Sequence, residues 1–318
     1  MARRAVYDLP MRVAVVDIGT NSTRLLVADV DGAAGQLVEV ERRSVVTRLG
    51  DGVDASGSLS RAAIERTVAA VTAYAQRIAA LDCQANLAVL TSAVRDAANG
   101  GAFSARVRAL GLDAQILSGE QEAQLMFLGA MTGREPAAEP TVVIDVGGGS
   151  TEFVIGEGRR ASFHTSIQAG VVRMSERHIH DDPPRPSELQ ALARDVRDAF
   201  AKGLPAEVRV SAGAAIAVAG TATSAASIDQ SLDPYDPAKV DGYRLPLQTI
   251  QALRVRLAGM DEAARRQVVG LHPDRAPTII AGMILLEQAF AAFGLNEVEV
   301  SEHDILHGGA LRLAGAAK

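Results

Sequence analysis

The sequence is short of four things: cysteine, aromatic rings, lysine and long apolar runs. One cysteine, Cys83, in 318 residues excludes an intrachain disulfide and any cysteine-based zinc cluster, and it fits a reducing cytoplasm. Tryptophan is absent and rings make up 3% of the residues, which excludes modules that hold nucleic acid by stacking bases and leaves an aliphatic core. Only Lys202, Lys239 and Lys318 among the 32 basic residues are lysines; the other 29 are arginines. A guanidinium suits forked contacts with phosphate, although a biased genome composition gives the same excess. The formal net charge of −6 argues against a surface built for nucleic acid.

Neither of two apolar stretches points to a membrane. The opening MARRAVYDLP is broken by Asp8 and Pro10, and Asp17 interrupts the next run, so no secretory segment forms. Val210 to Ile228 carries no charge, but Gly213, Gly220 and its many Ser, Thr and Ala make it soluble core. A cytoplasmic protein without membrane or nucleic-acid partners is expected.

What is present is an α/β pattern. RVAVVDIG and LLVADV are short strand-like runs, and the segment from Arg61 has helical spacing at Ile64, Val68, Val71 and Ile78. A strand returns at Leu87 to Leu90 and another at Ala114 to Leu117. Ser118 followed by Gln121 is a capping box that opens a helix. After the loop TGREPAAEP, the run TVVIDVGGGSTEFVIGEG reads strand, glycine turn, strand, and repeats the beginning of the chain. Laying Asp17 on Asp145 also pairs Gly19 with Gly147, Ser22 with Ser150 and Thr23 with Thr151, which is the mark of a duplicated domain. HDDPPRPSEL reads as a loop before a helix from about Ser187. HPDRAPTIIAGMILLEQAFAAF reads as a buried helix entered through Asp274 as its cap, and ILHGGALRLAG as a closing helix.

Each glycine turn places an aspartate at a strand end and small or hydroxyl residues in the bend. Glycine lets the backbone approach an anion, free amides and the Thr20, Ser22, Ser150 and Thr151 hydroxyls donate, and aspartates hold Mg²⁺ through water. One such turn alone reads as a tight hairpin; two matching copies point to a ligand. Neither GxxxxGK[ST] nor a correctly phased GxGxxG is present, so no P-loop or dinucleotide fold is supported. Arg95, just after a strand in TSAVRDAAN, is a candidate for holding phosphate or for pairing with Asp96 or another carboxylate. Glu120 and Glu122 both fall in a first helical turn, where the dipole favours carboxylates without any catalytic duty. His178 and His180 read as solvated histidines of a polar loop.

With DIGTNSTRLLVADV, DVGGGSTEF, TSAVRDAAN, SGEQEA, QAGVVRMSE, AGTATS and HPDRAPTI in this order, the chain resembles the Ppx/GppA phosphatases, exopolyphosphatases and guanosine pentaphosphate phosphohydrolases of the actin-like superfamily. The resemblance covers nearly the whole chain. It implies a two-domain actin-like, ribonuclease H-like α/β fold with the active site in an interdomain cleft. The expected domains are residues 1–125, joined by a terminal helix at 303–318, and residues 126–302. It implies that Glu120 is the base that orients water, with Arg95 beside it. Asp145 and Glu152, with Asp17, would hold Mg²⁺. Gly19, Thr20, Asn21, Ser22, Gly147, Gly148, Gly149, Ser150 and Arg173 would bind phosphate. The expected reaction is release of terminal orthophosphate from inorganic polyphosphate, with guanosine pentaphosphate as the alternative substrate, and a homodimer is expected. The scarcity of rings to stack a guanine favours polyphosphate. His303 and Asp304 do not make an HD-type metal site, since a chain ending at Lys318 leaves no room for the helical domain of longer members. An actin-fold kinase or ATPase, and a non-catalytic filament or nucleotide sensor, are the readings of other classes.

Overall fold

The computed structural model describes residues 10–32, 35–134, 139–209 and 212–315. The chain divides into two units, Met1–Glu135 with Ile305–Lys318, and Pro136–Asp304. Unit 1 contains β1 (Met11–Ile18), β2 (Ser22–Asp31), β3 (Gln36–Val46), α1 (Val53–Ser56), α2 (Arg61–Ala80), β4 (Ala85–Leu90), α3 (Ser92–Arg95), α4 (Gly100–Arg108), β5 (Ala114–Ile116) and α5 (Gly119–Ala130). Unit 2 contains β6 (Thr141–Val146), β7 (Thr151–Glu157), β8 (Arg160–Ile167), α6 (Val171–His178), α7 (Pro186–Gly203), α8 (Ala206–Arg209), β9 (Ala214–Val218) and α9 (Ala219–Asp229). It continues with α10 (Pro237–Val240), β10 (Arg244–Pro246), α11 (Leu247–Ala258), α12 (Glu262–Arg265), a 3-10 turn at Pro273–Arg275, α13 (Ile279–Phe293) and β11 (Glu297–Val300), and α14 (Ile305–Leu313) then belongs to unit 1. The division at Glu135 rather than at 125 has a simple cause: residue 125 lies inside α5, whose buried Leu125, Phe127 and Leu128 are part of unit 1.

Both sheets are led by a three-stranded antiparallel meander followed by two parallel strands, and in unit 2 β10 adds an antiparallel edge strand. The order is β3-β2-β1-β4-β5 in unit 1 and β10-β11-β9-β6-β7-β8 in unit 2. In unit 1, β1 pairs antiparallel with β2 and parallel with β4; in unit 2, β6 pairs antiparallel with β7 and parallel with β9. β1 is central and covered on both faces, which is why its sequence runs apolar without alternation, from Val13 to Val16 with no exposed surface. Ala14, Val16 and Ile18 pack with Val71, Tyr74 and Phe103, while Val13 and Val15 pack with Leu306 and Leu311 of α14.

Ser60 caps α2 by accepting from the Ala63 amide, and the buried stripe of this helix runs through Ala63, Thr67, Val71, Tyr74 and Ile78. Ile64 and Val68, expected on that face, lie at its margin and are only partly buried. The Tyr74 hydroxyl donates to the Thr23 carbonyl at 3.0 Å, tying α2 to the start of β2. Glu41 on β3 lies between Arg77 of α2 and Arg43, and the Arg77 hydrogen bonds lead in lowering its pKa to about 2. The stabilisation from that fork is present above the ordinary carboxylate range and is lost as pH falls toward 2.

In unit 2, β6, β7 and β9 pack on α7 and α13, with Phe153 edge-on to Phe200 at 5.0 Å. The segment expected to be one helix capped by Asp274 is instead two pieces. His272 accepts from the Asp274 amide and caps the 3-10 turn, and α13 starts only at Ile279. Val210 to Ile228 holds strand β9 and most of α9, with 210 and 211 outside the described residues, and no described helix is long and apolar enough to cross a membrane.

The seat of α14 depends on two adjacent glycines. A Cβ on Gly308 would stand 1.9 Å from the Leu125 carbonyl oxygen of α5, and one on Gly309 would stand 2.9 Å from Val15 Cγ1 of β1. Gly308→Ala is therefore expected to cost about 1–3 kcal/mol, because a helix backbone must move. Gly101→Ala, exposed on α4 with nothing within 4 Å of its Cβ position, should instead stabilise by roughly 0.5–1 kcal/mol. Urea unfolding of both variants checks this; equal effects would show that α14 is not seated by its glycines.

Candidate active site

Each of the two expected turns is closed by the same bond. The Gly19 amide donates to the Ser22 carbonyl, and the Gly147 amide to the Ser150 carbonyl, both at 3.0 Å. Further turn carbonyls accept from the segment that follows the third strand of each sheet. Gly50 donates to Thr20, and Thr47 and Arg48 donate to Asn21, at 2.8–3.0 Å. In unit 2, Val171 donates to Gly147, and Val172 and Arg173 donate to Gly148, at 2.9–3.3 Å. A glycine makes each approach possible: a Cβ on Gly50 would stand 2.3 Å from Thr20 Cγ2, and one on Gly170 would stand 2.5 Å from the Gly148 and Gly149 backbone. Among the described residues the amides of Thr20, Asn21, Gly148, Gly149 and Ser150 find no acceptor in the protein. Amides presented from a bend whose carbonyls are engaged elsewhere form an anion-binding concavity.

The residues flanking the turns differ between the copies. Asp17 stands opposite Arg24 in the β1–β2 ladder, and Asp145 stands opposite Glu152 in the β6–β7 ladder. Arg24 donates from Nε and Nη2 to the same oxygen of buried Asp17, at 3.0 and 2.7 Å. Glu152 accepts through Oε1 from the hydroxyls of Ser150 and Ser166, the latter at 2.7 Å. Its Oε2 lies 3.7 Å from where a Cβ of Gly147 would be. Asp145, Glu152 and the two serines are an all-oxygen donor set of the kind Mg²⁺ takes. Among the described residues no group of three or more His, Cys, Asp or Glu gathers to hold a metal.

Arg95 closes α3, and its guanidinium is committed. It donates to the Leu117 carbonyl at 3.1 Å and to Glu122 Oε2 at 2.9 Å, with Asp96 at 3.6 Å. Of the two readings the sequence left open for Arg95, phosphate or a carboxylate, the structure shows a carboxylate partner, Glu122, which makes Arg95 a strut between α3 and the start of α5. Ser118 and Gln121 form the expected capping box there. Glu120 is exposed in the same turn and, among the described residues, makes no hydrogen bond or ion pair. Arg173 donates to the Gly149 carbonyl at 2.9 Å and to Gln168 at 3.2 Å, so it braces the second turn. His178 ends helix α6 rather than lying in a loop, and its Nε2 is 2.8 Å from Asp195. Bonds from His178 and Arg177 hold the Asp195 carboxyl below its usual range.

Sequence reasoning missed Arg24, although the repeat itself carries the signal, because the pairing of Asp17 with Asp145 lays Arg24 on Glu152. Ser166 had no such signal, since β8 does not stand out as a strand.

Residues 26–315 match the Ppx/GppA phosphatase family. The chain belongs to this family. Exopolyphosphatase 2 of Mycobacterium tuberculosis is 38% identical over 316 residues, covering 96% of this chain and 99% of the relative. Exopolyphosphatase 1 of the same species is 28% identical over 95% of this chain and 88% of its own length. The crystal structure of the Aquifex aeolicus Ppx/GppA family member superposes with a TM-score of 0.84 at 28% identity, over 95% of this chain and 97% of that one. The α/β class expected from the sequence is the observed one, with two mixed sheets, and the Ppx/GppA structures share this fold.

The Arg95–Glu122 strut has a measurable consequence. Arg95→Gln and Glu122→Gln should each lower stability, and the double variant should cost less than the sum by about 0.5–1 kcal/mol. Glu120→Gln should leave stability unchanged and show no coupling to Arg95. Additive Arg95 and Glu122 effects in urea unfolding would remove the strut.

Proposed function

We propose that this chain is an exopolyphosphatase that hydrolyses the terminal phosphoanhydride bond of inorganic polyphosphate with a divalent cation. The observation that carries the reading is the second turn, where unpaired amides of Gly148, Gly149 and Ser150 stand at the end of the strand bearing Asp145, opposite Glu152. An anion-receiving bend beside two carboxylates suits a phosphate that arrives with its cation. The names of the M. tuberculosis relatives support polyphosphate as the substrate.

In this reading the amides of Gly148, Gly149 and Ser150 and the Ser150 hydroxyl receive phosphate oxygens at the second turn, and the amides of Thr20 and Asn21 with the Thr20 and Ser22 hydroxyls make the first turn an anion-receiving bend of its own. Arg173 holds the Gly149 carbonyl back so that the bend keeps its shape. Asp145 and Glu152 would hold Mg²⁺, which when bound neutralises charge on the phosphoryl oxygens. Glu120, unengaged and exposed, accepts a proton from the attacking water, while Glu122 is the structural partner of Arg95. Rings for a guanine base are scarce in the fold as well as in the composition. Among the described residues Tyr74 is buried, Tyr243 is bonded to Asp229, and the most exposed ring, Tyr235, has its hydroxyl on Glu302. This favours polyphosphate over guanosine pentaphosphate.

Orthophosphate release from polyphosphate should require Mg²⁺ or Mn²⁺ and stop with excess chelator. Glu120→Gln should lower kcat by roughly 10²- to 10⁴-fold with KM little changed. Undiminished turnover in Glu120→Gln would return this residue to its helix-dipole role. The kcat/KM for polyphosphate should exceed that for guanosine pentaphosphate at two salt concentrations, and should fall more steeply with salt because an extended polyanion makes more ionic contacts. A higher value for the nucleotide at both would reverse the substrate assignment.

A further inference from the structure

The two turns are copies in backbone and differ at one ladder position. Asp17 and Asp145 end equivalent strands, each closing bond is 3.0 Å, and the residue directly opposite is Arg24 in one copy and Glu152 in the other. We infer that Arg24 reserves the first turn for anion alone and confines the divalent cation to the second. This rests on the reading of Asp145 and Glu152 given above.

A cation at Asp17 would have to displace a guanidinium whose Nε and Nη2 both reach Oδ2, or lie within a few ångströms of its positive charge. The pair is sheltered, with side chains only 23% and 7% exposed, so solvent screens that repulsion poorly. Arginine does not shed its proton, so the exclusion holds at every working pH. In the second copy the ladder position opposite Asp145 holds a second carboxylate, Glu152, in place of a guanidinium.

The carboxylate near the turn glycine also changes strand. In unit 1 the Asp17 oxygens lie 3.9–4.0 Å from a Cβ position on Gly19, and in unit 2 the near oxygen is Glu152 Oε2, at 3.7 Å from that on Gly147. Glu152 thus takes the place under the bend that Asp17 takes in the other copy, and Asp145 joins it from the neighbouring strand. Of the three carboxylates expected to hold metal, Asp17 is assigned instead to orienting Arg24 beneath the first turn.

The test counts Mn²⁺ ions per full-length chain by the electron paramagnetic resonance of free Mn²⁺, without substrate. The wild type should bind one ion. Asp145→Asn or Glu152→Gln should weaken binding by about tenfold or more, at least what loss of a supporting ligand costs. Asp17→Asn should leave the affinity within about threefold, as befits removal of a charge already neutralised. Arg24→Glu should admit a second ion, removed again by adding Asp17→Asn, and its melting temperature should rise with Mn²⁺ more than that of the wild type. Loss of affinity in Asp17→Asn equal to that in Asp145→Asn would overturn the assignment alone, as would a folded Arg24→Glu chain that still binds one ion. If Arg24→Glu fails to fold, the Asp17→Asn comparison decides. A wild-type chain that binds no Mn²⁺ would overturn the cation pair of the proposed function and this assignment with it.

Discussion

A single backbone hydrogen bond, glycine amide to serine carbonyl three residues on, shapes both turns, and the functional reading depends on where it leaves the other backbone groups. Once Gly19 and Gly147 have donated, the bend is stabilised further where its other carbonyls are taken, since an unpaired polar group out of contact with water costs about 1–3 kcal/mol. Each unit solves this with the segment that follows its third strand. Residues 47–50 serve the first turn and residues 171–173 the second. Side chains fasten these segments: Thr23 meets Thr47 at 2.9 Å, both buried, and buried Thr151 donates to the Ala169 carbonyl at 2.6 Å. The amides of Thr20, Asn21, Gly148, Gly149 and Ser150 are left without an acceptor among the described residues.

The arginine excess takes on a different meaning in this light. As a composition it suggested forks for a polyanion, yet many of the forks are internal. Arg12 is bidentate to Asp29 at 2.7 and 2.8 Å, Arg106 to Glu65 at 2.8 and 3.1 Å, and Arg108 places two donors on the Ala114 carbonyl. Arg265 is buried and joins α12 to Asp182 and to the carbonyls of Met260 and Ala276. A planar guanidinium can satisfy several acceptors at once and tolerates burial better than an ammonium. Arginine therefore serves here mainly as a cross-brace for a chain with few rings.

What the sequence made legible was periodic or duplicated. The strand at Leu87 to Leu90, the helix from Arg61, the capping box at Ser118 and Gln121, and the start of α7 within a residue of Ser187 all rest on local chemistry, which the tertiary structure leaves intact. The break before α13 was not legible, because His272 rather than Asp274 supplies the cap and only the structure shows which group faces the amide. Strand β3 was missed for a related reason. As the sheet edge it exposes Val38, Val45 and Val46 and alternates poorly, and a bulge between Val27 and Ala28 shifts its register. At the site, residue types and turn geometry were legible, whereas pairings such as Arg95 with Glu122 are long-range and were not.

That last pairing sharpens the distinction between the two glutamates at the start of α5. Composition and the helix dipole treat Glu120 and Glu122 alike, since both lie in the first turn and both gain from its exposed amides. Residues two apart on a helix point to different faces, so a guanidinium arriving from one direction can engage only one of them. Arg95 comes from α3 with its Nη1 already on the Leu117 carbonyl, and that anchor fixes its approach to Glu122. Glu120 is then left on another face, its carboxylate without a fixed partner among the described residues. The helix dipole accounts for both carboxylates, and the strut accounts for Glu122 alone; in the proposed function the proton from water goes to Glu120.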